Sequence, residues 1–246
     1  MKARALKTHR VTVGESLLSL VDEFVPPLLE KSILVITSKI VSLCEGRVIP
    51  KSQASKVDLI QEEADAILET EHPIQDFYLT IKNHLLIPSA GIDESNGEDV
   101  YILYPKEVQS TCEAVWSHLR STRGLKEVGV IITDSHTTPL RRGVTGIALG
   151  FCGFKPLYSY IGKPDLYGHP LRVTQMNLLD ALATTGVFVM GEGDEQTPFA
   201  LIEEAPKMVF LNHPPTEEEE NSVVISPEED LYGALFQNAS WQWRNQ

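Results

Sequence analysis

The sequence is poor in cysteine and in positive charge, and each shortage excludes a class of protein. Three cysteines stand among 246 residues, Cys44, Cys112 and Cys152, without a CxxC pair. We therefore expect neither a disulfide framework nor a structural zinc site. Lysine and arginine together number 21 against 34 acidic residues, which gives a formal net charge of −13. That surplus disfavours nucleic acids and anionic membranes as partners.

Long apolar runs and two well-known phosphate-binding motifs are missing as well. No uninterrupted apolar segment is long enough to span a bilayer. No signal-peptide core follows the basic start MKARALKTHR, so a cytoplasmic protein is expected. No GxGxxG follows a strand pattern, and no GxxxxGK(S/T) loop occurs. These absences disfavour the Rossmann and P-loop architectures.

The composition that remains is ordinary for a globular protein, 42% hydrophobic and 22% charged. Strand and helix patterns mix without a regular βαβ alternation. We therefore predict an α+β fold with mixed or antiparallel sheets and packed helices. Residues 1–246 are interpreted as a single unit, with room for two subdomains. Within it, residues 206–227 are predicted to be a loop or excursion, because prolines flank a run of glutamates.

Hydrophobic periodicity places the secondary structure. Helical spacing predicts helices over 15–25, 56–69, 110–123 (with Ser110 or Thr111 as N-cap) and 174–190. The aromatic tail, 230–243, is expected to dock as a further helix. Strands are predicted over 32–41, 77–87 (a strand or one limb of a hairpin), 100–104, 128–133, 143–154 and 199–202.

The most informative stretch is VGVIITDSHTTPLRRGVTGIALG, residues 128–150. Its apolar run stops at Asp134-Ser135-His136, and Arg141-Arg142 follow soon after. A carboxylate can hold a divalent metal, and guanidinium groups can hold anionic oxygens. The segment therefore resembles the edge of an active site. The alternative is a buried strand followed by a solvated turn.

Three turns share an acidic, glycine-containing character. They are residues 91–96, 133–136 and 191–195. Mg²⁺ and Mn²⁺ prefer hard oxygen donors and take only one or two carboxylates when phosphate and water fill the remaining positions. Three such turns converging on one cation would suit a nucleoside triphosphate site. As separate features they are equally typical of solvated turns.

Four blocks of the chain, in order, resemble the signature blocks of the coenzyme F420-0:γ-glutamyl ligase family. They are SILVITSKIVSLCEGRVI, NHLLIPSAGIDESN, EVGVIITDSHTTPLRRGVTGIALGFCGFKPLYSYIGKPDLYGHPLRVT and VFVMGEGDEQTPFALI, and they span most of residues 32–202. The resemblance implies a homodimeric ligase that depends on Mg²⁺ or Mn²⁺ and on GTP or ATP. Its fold would be a γ-glutamyl ligase fold rather than a P-loop fold. An aromatic tail that needs a surface to cover is consistent with a dimer.

The implied reaction joins L-glutamate to a carboxylate through an acyl phosphate. Phosphorylation supplies the leaving group that a free carboxylate lacks. The acceptor is either coenzyme F420-0 or a folate. An alternative function is a non-catalytic nucleotide- or pterin-binding regulator that retains the fold.

The resemblance also assigns residues by position. The metal ligands implied are Asp93, Asp134, Ser135 and Glu192. The nucleotide-binding residues implied are Ser38, Lys39, Asn96, Met190, Gly191, Gly193, Asp194 and Glu195. From their chemistry, Arg141 and Arg142 are expected to neutralise charge as the phosphoryl group moves. His136 would accept the amine proton, contact phosphate, or only form a local hydrogen bond.

Two departures from the family pattern affect the expected pocket. Leu43 stands where the family commonly has a lysine, which removes a cation that Lys39 could replace. Residues 135–138 are Ser-His-Thr-Thr, whereas the family usually continues Thr-x-Gly-Arg. These departures favour a folate slightly as the acceptor.

Overall fold

The computed structural model describes residues 1–69 and 78–244 of the chain. The strands are β1 (Lys2–Leu6), β2 (Ser32–Thr37), β3 (Val48–Pro50), β4 (Ala66–Leu68), β5 (Leu79–Lys82), β6 (Leu85–Pro88), β7 (Val100–Ile102), β8 (Val128–Thr137), β9 (Val144–Cys152), β10 (Leu157–Ser159), β11 (Gln175–Asn177), β12 (Phe199–Glu203) and β13 (Trp241–Trp243). The helices are α1 (Leu17–Phe24), α2 (Ser38–Cys44), α3 (Lys56–Glu63), α4 (Val108–Arg123), α5 (Leu178–Met190), α6 (Glu217–Asn221) and α7 (Gly233–Gln237).

The main sheet has five strands in the order β1-β12-β2-β8-β9. Strands β2 and β8 are parallel, in register from Ser32 opposite Val128 to Thr37 opposite Thr133. The other neighbours are antiparallel. Helices and mixed sheets together confirm the predicted α+β class.

Helices cover both faces of this sheet, which explains its unbroken apolar strands. Side chains of α1, α2 and α4 pack with Leu34 and Ile36 on one face. Side chains of α5 pack with Ile33 and Val35 on the other face. Because both sets of alternate positions are buried, residues 33–36 of β2 and residues 130–132 of β8 are all apolar.

Strand β8 is longer than predicted. Its apolar run ends at Thr133, but β9 continues to pair with it, from Asp134 opposite Ile147 to Thr137 opposite Val144. The predicted turn at residues 134–136 is therefore wrong, and the connection of the hairpin lies at residues 138–143. A partner strand, rather than side-chain hydrophobicity, sets where a strand ends.

A second sheet has the order β13-β4-β5-β6. It corrects two predictions, because the helix predicted over 56–69 ends at Glu63 and residues 66–68 form β4. The tail is also not one helix, since Trp241–Trp243 pairs with β4 of the same chain. The hairpin predicted near residues 77–87 is present as β5 and β6, while Phe77 lies outside the described residues.

Three further predictions are wrong about where elements begin or end. Residues 38–41 begin α2 rather than ending β2, and residues 175–177 are strand β11 rather than helix. Helix α4 follows Glu107 without a side-chain cap, so Ser110 and Thr111 are not its N-cap. The loop or excursion predicted over residues 206–227 contains α6, and a capping box between Thr216 and Glu219 caps the start of this helix. In the described ranges, no helix has the length and apolarity to cross a membrane.

Candidate functional site

Four segments that are far apart in the sequence meet at one edge of the main sheet. They are the start of α2, the loop after β6, the distal half of β8 and the loop after α5. The Lys39 ammonium Nζ lies 2.7 Å from Asp93 Oδ2. Asn96 Nδ2 donates to the Gly193 carbonyl at 3.0 Å, and the Ser135 side chain lies near enough to Glu192 to act on its pKa. The three acidic segments thus belong to one site.

Parallel pairing of β2 and β8 brings two of these segments together. The two strands run in register to Thr37 and Thr133, so the residues that follow, Ser38 and Asp134, emerge at the same edge. The Ser38 side chain lies near the Asp134 carboxylate and acts to lower its pKa. A buried serine at the first turn of α2 is therefore a neighbour of an acidic group that belongs to β8.

A tight turn delivers Asp93. Ala90 and Gly91 adopt positive φ values of 52° and 73°, and a Cβ atom at Gly91 would overlap the ring of Tyr104. Glycine is therefore required there for space as well as for conformation. The Asp93 amide and carbonyl then bond with Ile102 at 2.9 Å each. Its carboxylate accepts hydrogen bonds from the Ser95 amide at 2.7 Å and the Ser95 hydroxyl at 2.8 Å.

The three carboxylates of the site titrate differently. Burial, with the nearby Asp93 charge, raises the pKa of Asp134 to about 7 against the opposing hydrogen bond of the Ser135 amide. Burial also raises the pKa of Glu192. At Asp93 burial is again the largest single effect and acts in the same direction, but the charge and hydrogen bond of Lys39, together with the hydrogen bonds of Ser95, leave the pKa below its ordinary value. One lysine thus faces three acidic groups, and the site favours additional positive charge.

The donor chemistry fits a hard divalent cation, since carboxylate and hydroxyl oxygens are what Mg²⁺ and Mn²⁺ prefer. The side chains are not arranged as a complete set of metal ligands, however. Among residues 1–69 and 78–244, no three His, Cys, Asp or Glu side chains are grouped closely enough to hold a metal ion. Lys39 lies against Asp93 instead. The metal role of Asp93, Asp134, Ser135 and Glu192 stays a prediction.

The loop after α5 places the residues implied in nucleotide binding. Met190 ends the helix, and its carbonyl accepts from the Thr197 hydroxyl at 2.5 Å. Gly191 turns the chain away with φ 80°. Glu195 folds back so that its carboxylate accepts from the Gly193 amide at 2.8 Å. Asp194 is exposed within this loop, so residues 191–195 form an open edge next to Asp93 and Asn96.

The structure does not join the predicted catalytic residues to this cluster. His136 Nε2 and Thr145 Oγ1 lie 3.1 Å apart across the β8–β9 hairpin, which matches the local hydrogen bond among the roles considered. Arg141 and Arg142 are exposed in the hairpin connection. Within the described ranges, neither arginine side chain forms an ion pair with an acidic group. Their predicted role remains untested.

Two residues of the site were not singled out from the sequence. Ser95 bonds to both Asp93 and Lys39, with the Lys39 ammonium donating to the Ser95 hydroxyl at 2.9 Å. The position of Ser95 within the acidic segment at residues 91–96 is the sequence feature that could have identified it. Tyr104 has a buried hydroxyl that finds no hydrogen-bond partner in residues 1–69 and 78–244, and burial, with the Asp134 charge, raises its pKa. Nothing in the sequence around Tyr104 indicates this position.

Comparison with known proteins agrees with the resemblance in the sequence. Residues 5–204 match the family model described as F420-0:Gamma-glutamyl ligase. A protein of Methanopyrus kandleri named Coenzyme F420:L-glutamate ligase is 30% identical over 244 residues, which is 91% of this chain and 94% of the relative. Proteins of the same name from Methanothermobacter thermautotrophicus and Archaeoglobus fulgidus are 32% and 34% identical. Those alignments cover 77% and 69% of this chain and 81% and 74% of the relatives.

Proposed function

The chain belongs to the F420-0:γ-glutamyl ligase family, and from that premise we propose that it is a γ-glutamyl ligase dependent on a nucleotide and a divalent metal. It would join L-glutamate to a carboxylate of coenzyme F420-0 or of a folate. The relatives carry the name of the first of these reactions. The nucleotide, the metal and the folate alternative are parts of the proposal.

One observation carries the proposal: the segments that bear the acidic turns meet at a single edge of the sheet. The Lys39–Asp93 ion pair and the Asn96–Gly193 hydrogen bond tie three of the segments together. The fourth segment, β8, is connected through Ser135, whose side chain lies near enough to Glu192 to act on its pKa. Such separate elements provide both an anion-binding edge and a set of oxygen donors, which is what transfer of a phosphoryl group to a carboxylate requires.

The chain's own residues would act mainly by binding and orientation. The Lys39 ammonium would bind a phosphate after its ion pair with Asp93 breaks. Asn96 and the exposed loop 191–195 would hold the nucleotide. Arg141 and Arg142, on the exposed hairpin connection, would meet an anionic substrate from the solvent side.

The metal would be held by Asp93, Asp134, Ser135 and Glu192. When bound, it would neutralise the phosphate charge that otherwise repels the acceptor carboxylate. In its absence Lys39 is the cation nearest to Asp93. We therefore propose that the same carboxylates serve the lysine and the metal in turn.

The active unit is proposed to be a homodimer, with support from the arm that joins β10 to β11. Its backbone pairs through Tyr160–Thr174 and Lys163–Leu171 hydrogen bonds. At its tip Leu166 and Tyr167 are 99% and 87% exposed. Apolar side chains held away from their own core suit packing against a second copy of the chain. The aromatic tail gives no such support, because Trp241–Trp243 already pairs with β4.

A ligation assay with labelled L-glutamate tests the proposal. Purified protein is given coenzyme F420-0 or a folate, each with GTP or ATP, in the presence of Mg²⁺ or Mn²⁺ and after chelation. We expect glutamate to be incorporated into one acceptor, with release of nucleoside diphosphate, and incorporation to cease after chelation. Nucleotide binding without turnover on either acceptor would instead support the non-catalytic regulator.

A further inference from the structure

A shallow cavity, largely open to solvent, lies at the end of the main sheet that is remote from the acidic site. It has a volume of about 560 Å³ and runs between the second half of α4 and the segment after β12; its lining includes Trp116, Ser117, Arg120, Ser121, Lys126 and Asn212. The Trp116 indole donates to the carbonyl of Val128, the first residue of β8, at 3.0 Å. Asp134 is six residues further along that strand, about 20 Å away at roughly 3.3 Å per residue. The cavity is thus separate from the proposed ligase site.

Arg120 is the unusual side chain of this cavity. Its guanidinium carbon lies 4.4 Å from the centre of the Trp116 ring, so the planar group stacks on the indole. Its Nη1 atom is buried and has no hydrogen-bond partner among the described residues. A buried guanidinium N–H without a partner is costly, and native structures generally satisfy such groups with protein, water or a ligand.

Glu30 is an acidic group close enough for the charges of Arg120 and Lys126 to lower its pKa, although its backbone hydrogen bonds have the larger effect. Its carboxylate is already engaged, because it accepts hydrogen bonds from the Lys126 amide at 3.0 Å and from the Glu127 amide at 2.7 Å. No carboxylate of residues 1–69 or 78–244 lies within ion-pair distance of Arg120. The guanidinium therefore forms no direct ion pair within the described part of the chain.

The remaining polar groups of the cavity are suited to an anion. Lys126 contributes a second cation, an ammonium group, from an exposed position, and arginine and lysine offer donors but no acceptors. The Ser117 hydroxyl and the Asn212 amide can add further donors. Two cations at one opening are notable in a chain with a net charge of −13, because the overall field would repel an anion that has no local partner.

We propose that this cavity is a binding site for a phosphoryl or carboxylate group, with Arg120 as the principal cationic ligand and Lys126 as the second cation. The site is independent of the proposed ligase reaction. Inorganic phosphate and the carboxylates of L-glutamate share this chemistry, and both are small enough for the opening.

Trp116 is a built-in reporter for the test. The chain has three tryptophans, and Trp241→Phe with Trp243→Phe leaves Trp116 as the only one. Phosphate and L-glutamate are titrated separately at constant ionic strength, with chloride as the balancing salt. We expect a saturable change in Trp116 emission, since an anion that draws on the guanidinium alters its stacking on the indole. A response to phosphate alone identifies a phosphoryl site, and a response to glutamate identifies a carboxylate site.

Substitutions in the same background locate the site. Arg120→Gln is expected to weaken binding about tenfold or more, and Lys126→Gln by a smaller factor. Arg172→Gln, an exposed arginine on the arm, is the matched control and should leave the titration unchanged. If melting shows that Arg120→Gln does not fold, Arg120→Lys decides, because it keeps the charge and loses the planar fork. Absence of a saturable response to either anion, or unchanged affinity when Arg120 is replaced, would overturn the proposal.

Discussion

At the scale of single residues, the site is defined by carboxylates with unequal surroundings. Asp134 is desolvated near the charge of Asp93, whereas Asp93 has Lys39 as its partner. The two residues are both aspartates, but their different surroundings shift their pKa values in opposite directions. Substitutions that remove one charge or one hydroxyl, with little change of shape, separate these roles.

The first residue-scale prediction concerns Asp134→Asn. The amide keeps the shape but cannot supply the negative charge, so we expect glutamate incorporation to fall by at least about 100-fold. The melting temperature should hold or rise, because a desolvated carboxylate is removed. Asp22→Asn, an exposed position on α1, is the control. Near wild-type turnover in Asp134→Asn would show that Asp134 has no part in the reaction.

The second concerns Tyr104→Phe. The Tyr104 hydroxyl is buried without a partner among the described residues, so removing it should leave stability unchanged or raise it by about 1 kcal/mol. Urea unfolding measures this effect. A loss of more than about 1 kcal/mol would mean that the hydroxyl has a partner in solution. Turnover measured on the same variant tells whether that partner is a substrate.

The third concerns the pH dependence of stability through Glu63. Burial acts to raise the pKa of this carboxyl, but the hydrogen bonds and charges of Arg47 and Lys82, at 2.8 Å and 3.0 Å, leave it below the ordinary 4.5. A depressed folded-state pKa gives stability that is present above the unfolded value and lost as the pH falls through the folded value. Glu63→Gln should therefore cost about 1–3 kcal/mol at neutral pH and flatten the acid limb below pH 4.5.

Denaturant unfolding between neutral pH and pH 3 tests the Glu63 prediction. Glu62→Gln is a matched control, since Glu62 neighbours Glu63 but is exposed. An identical acid limb in the wild type and in Glu63→Gln would contradict the assigned role of the Arg47–Glu63–Lys82 contacts.

At the scale of elements, the site depends on how closely α5 approaches the main sheet. Thr184 in this helix donates to the Gly146 carbonyl of β9 at 2.8 Å, and Asp180 accepts from the Ala148 amide at 3.0 Å. Gly146 and Gly186 have no room for a side chain at this contact. The approach positions the end of α5, and therefore the loop that carries Glu192, beside β8.

The element-scale prediction concerns Gly186→Ala. A new Cβ would lie 2.6 Å from Val35 Cγ1 and 2.9 Å from Val35 Cβ. Alanine favours helix by about 1 kcal/mol over glycine, but overpacking should dominate and cost about 1–3 kcal/mol in total. Val35→Ala in the same chain removes the two Cγ atoms and leaves only the Cβ contact, which relieves most of the overlap, so the double variant should be more stable than the sum of the single changes. Additive losses in denaturant unfolding would show that the two residues do not clash.

At the scale of the whole molecule, the last segment ties distant parts of the fold together. The backbone of residues 209–211 bonds to Lys155 and Gly153 next to the main sheet, and β13 then pairs with β4 of the second sheet. Residues 205–244 lie beyond the part of the chain that matches the family model. Within one protomer, the arm tip is left with large exposed apolar groups.

The whole-molecule prediction concerns assembly. Leu166→Ser with Tyr167→Ser should convert the proposed homodimer to a monomer, because these side chains have no core of their own to cover them. Sedimentation velocity or light scattering measures the mass. Leu29→Ser, which also removes an exposed leucine, is the control and should leave the mass unchanged. An unchanged dimer in the arm variant would place the interface elsewhere, and a wild-type monomer would overturn the homodimer.

The sequence by itself determined the fold class, most element positions and the three acidic segments, although one of these continues a strand instead of forming a turn. The strand at Val128 and the helices around Leu17 and Leu119 were predicted from hydrophobic periodicity. An element that is buried on one or both faces has apolar residues at regular positions in its sequence. The family followed from the order of the blocks around Asp93, Asp134 and Glu192. These features are local, so they can be read without knowledge of what lies beside them.

Only the tertiary structure decided where strands end and which groups face one another. Strand β8 continues past Thr133 because β9 supplies partners for its backbone, and Trp241 joins a strand because β4 offers a free edge. The contact of Lys39 with Asp93 and the unpartnered hydroxyl of Tyr104 likewise depend on neighbours distant in sequence. Pairing and burial of polar groups are non-local, and no local pattern of residues encodes them.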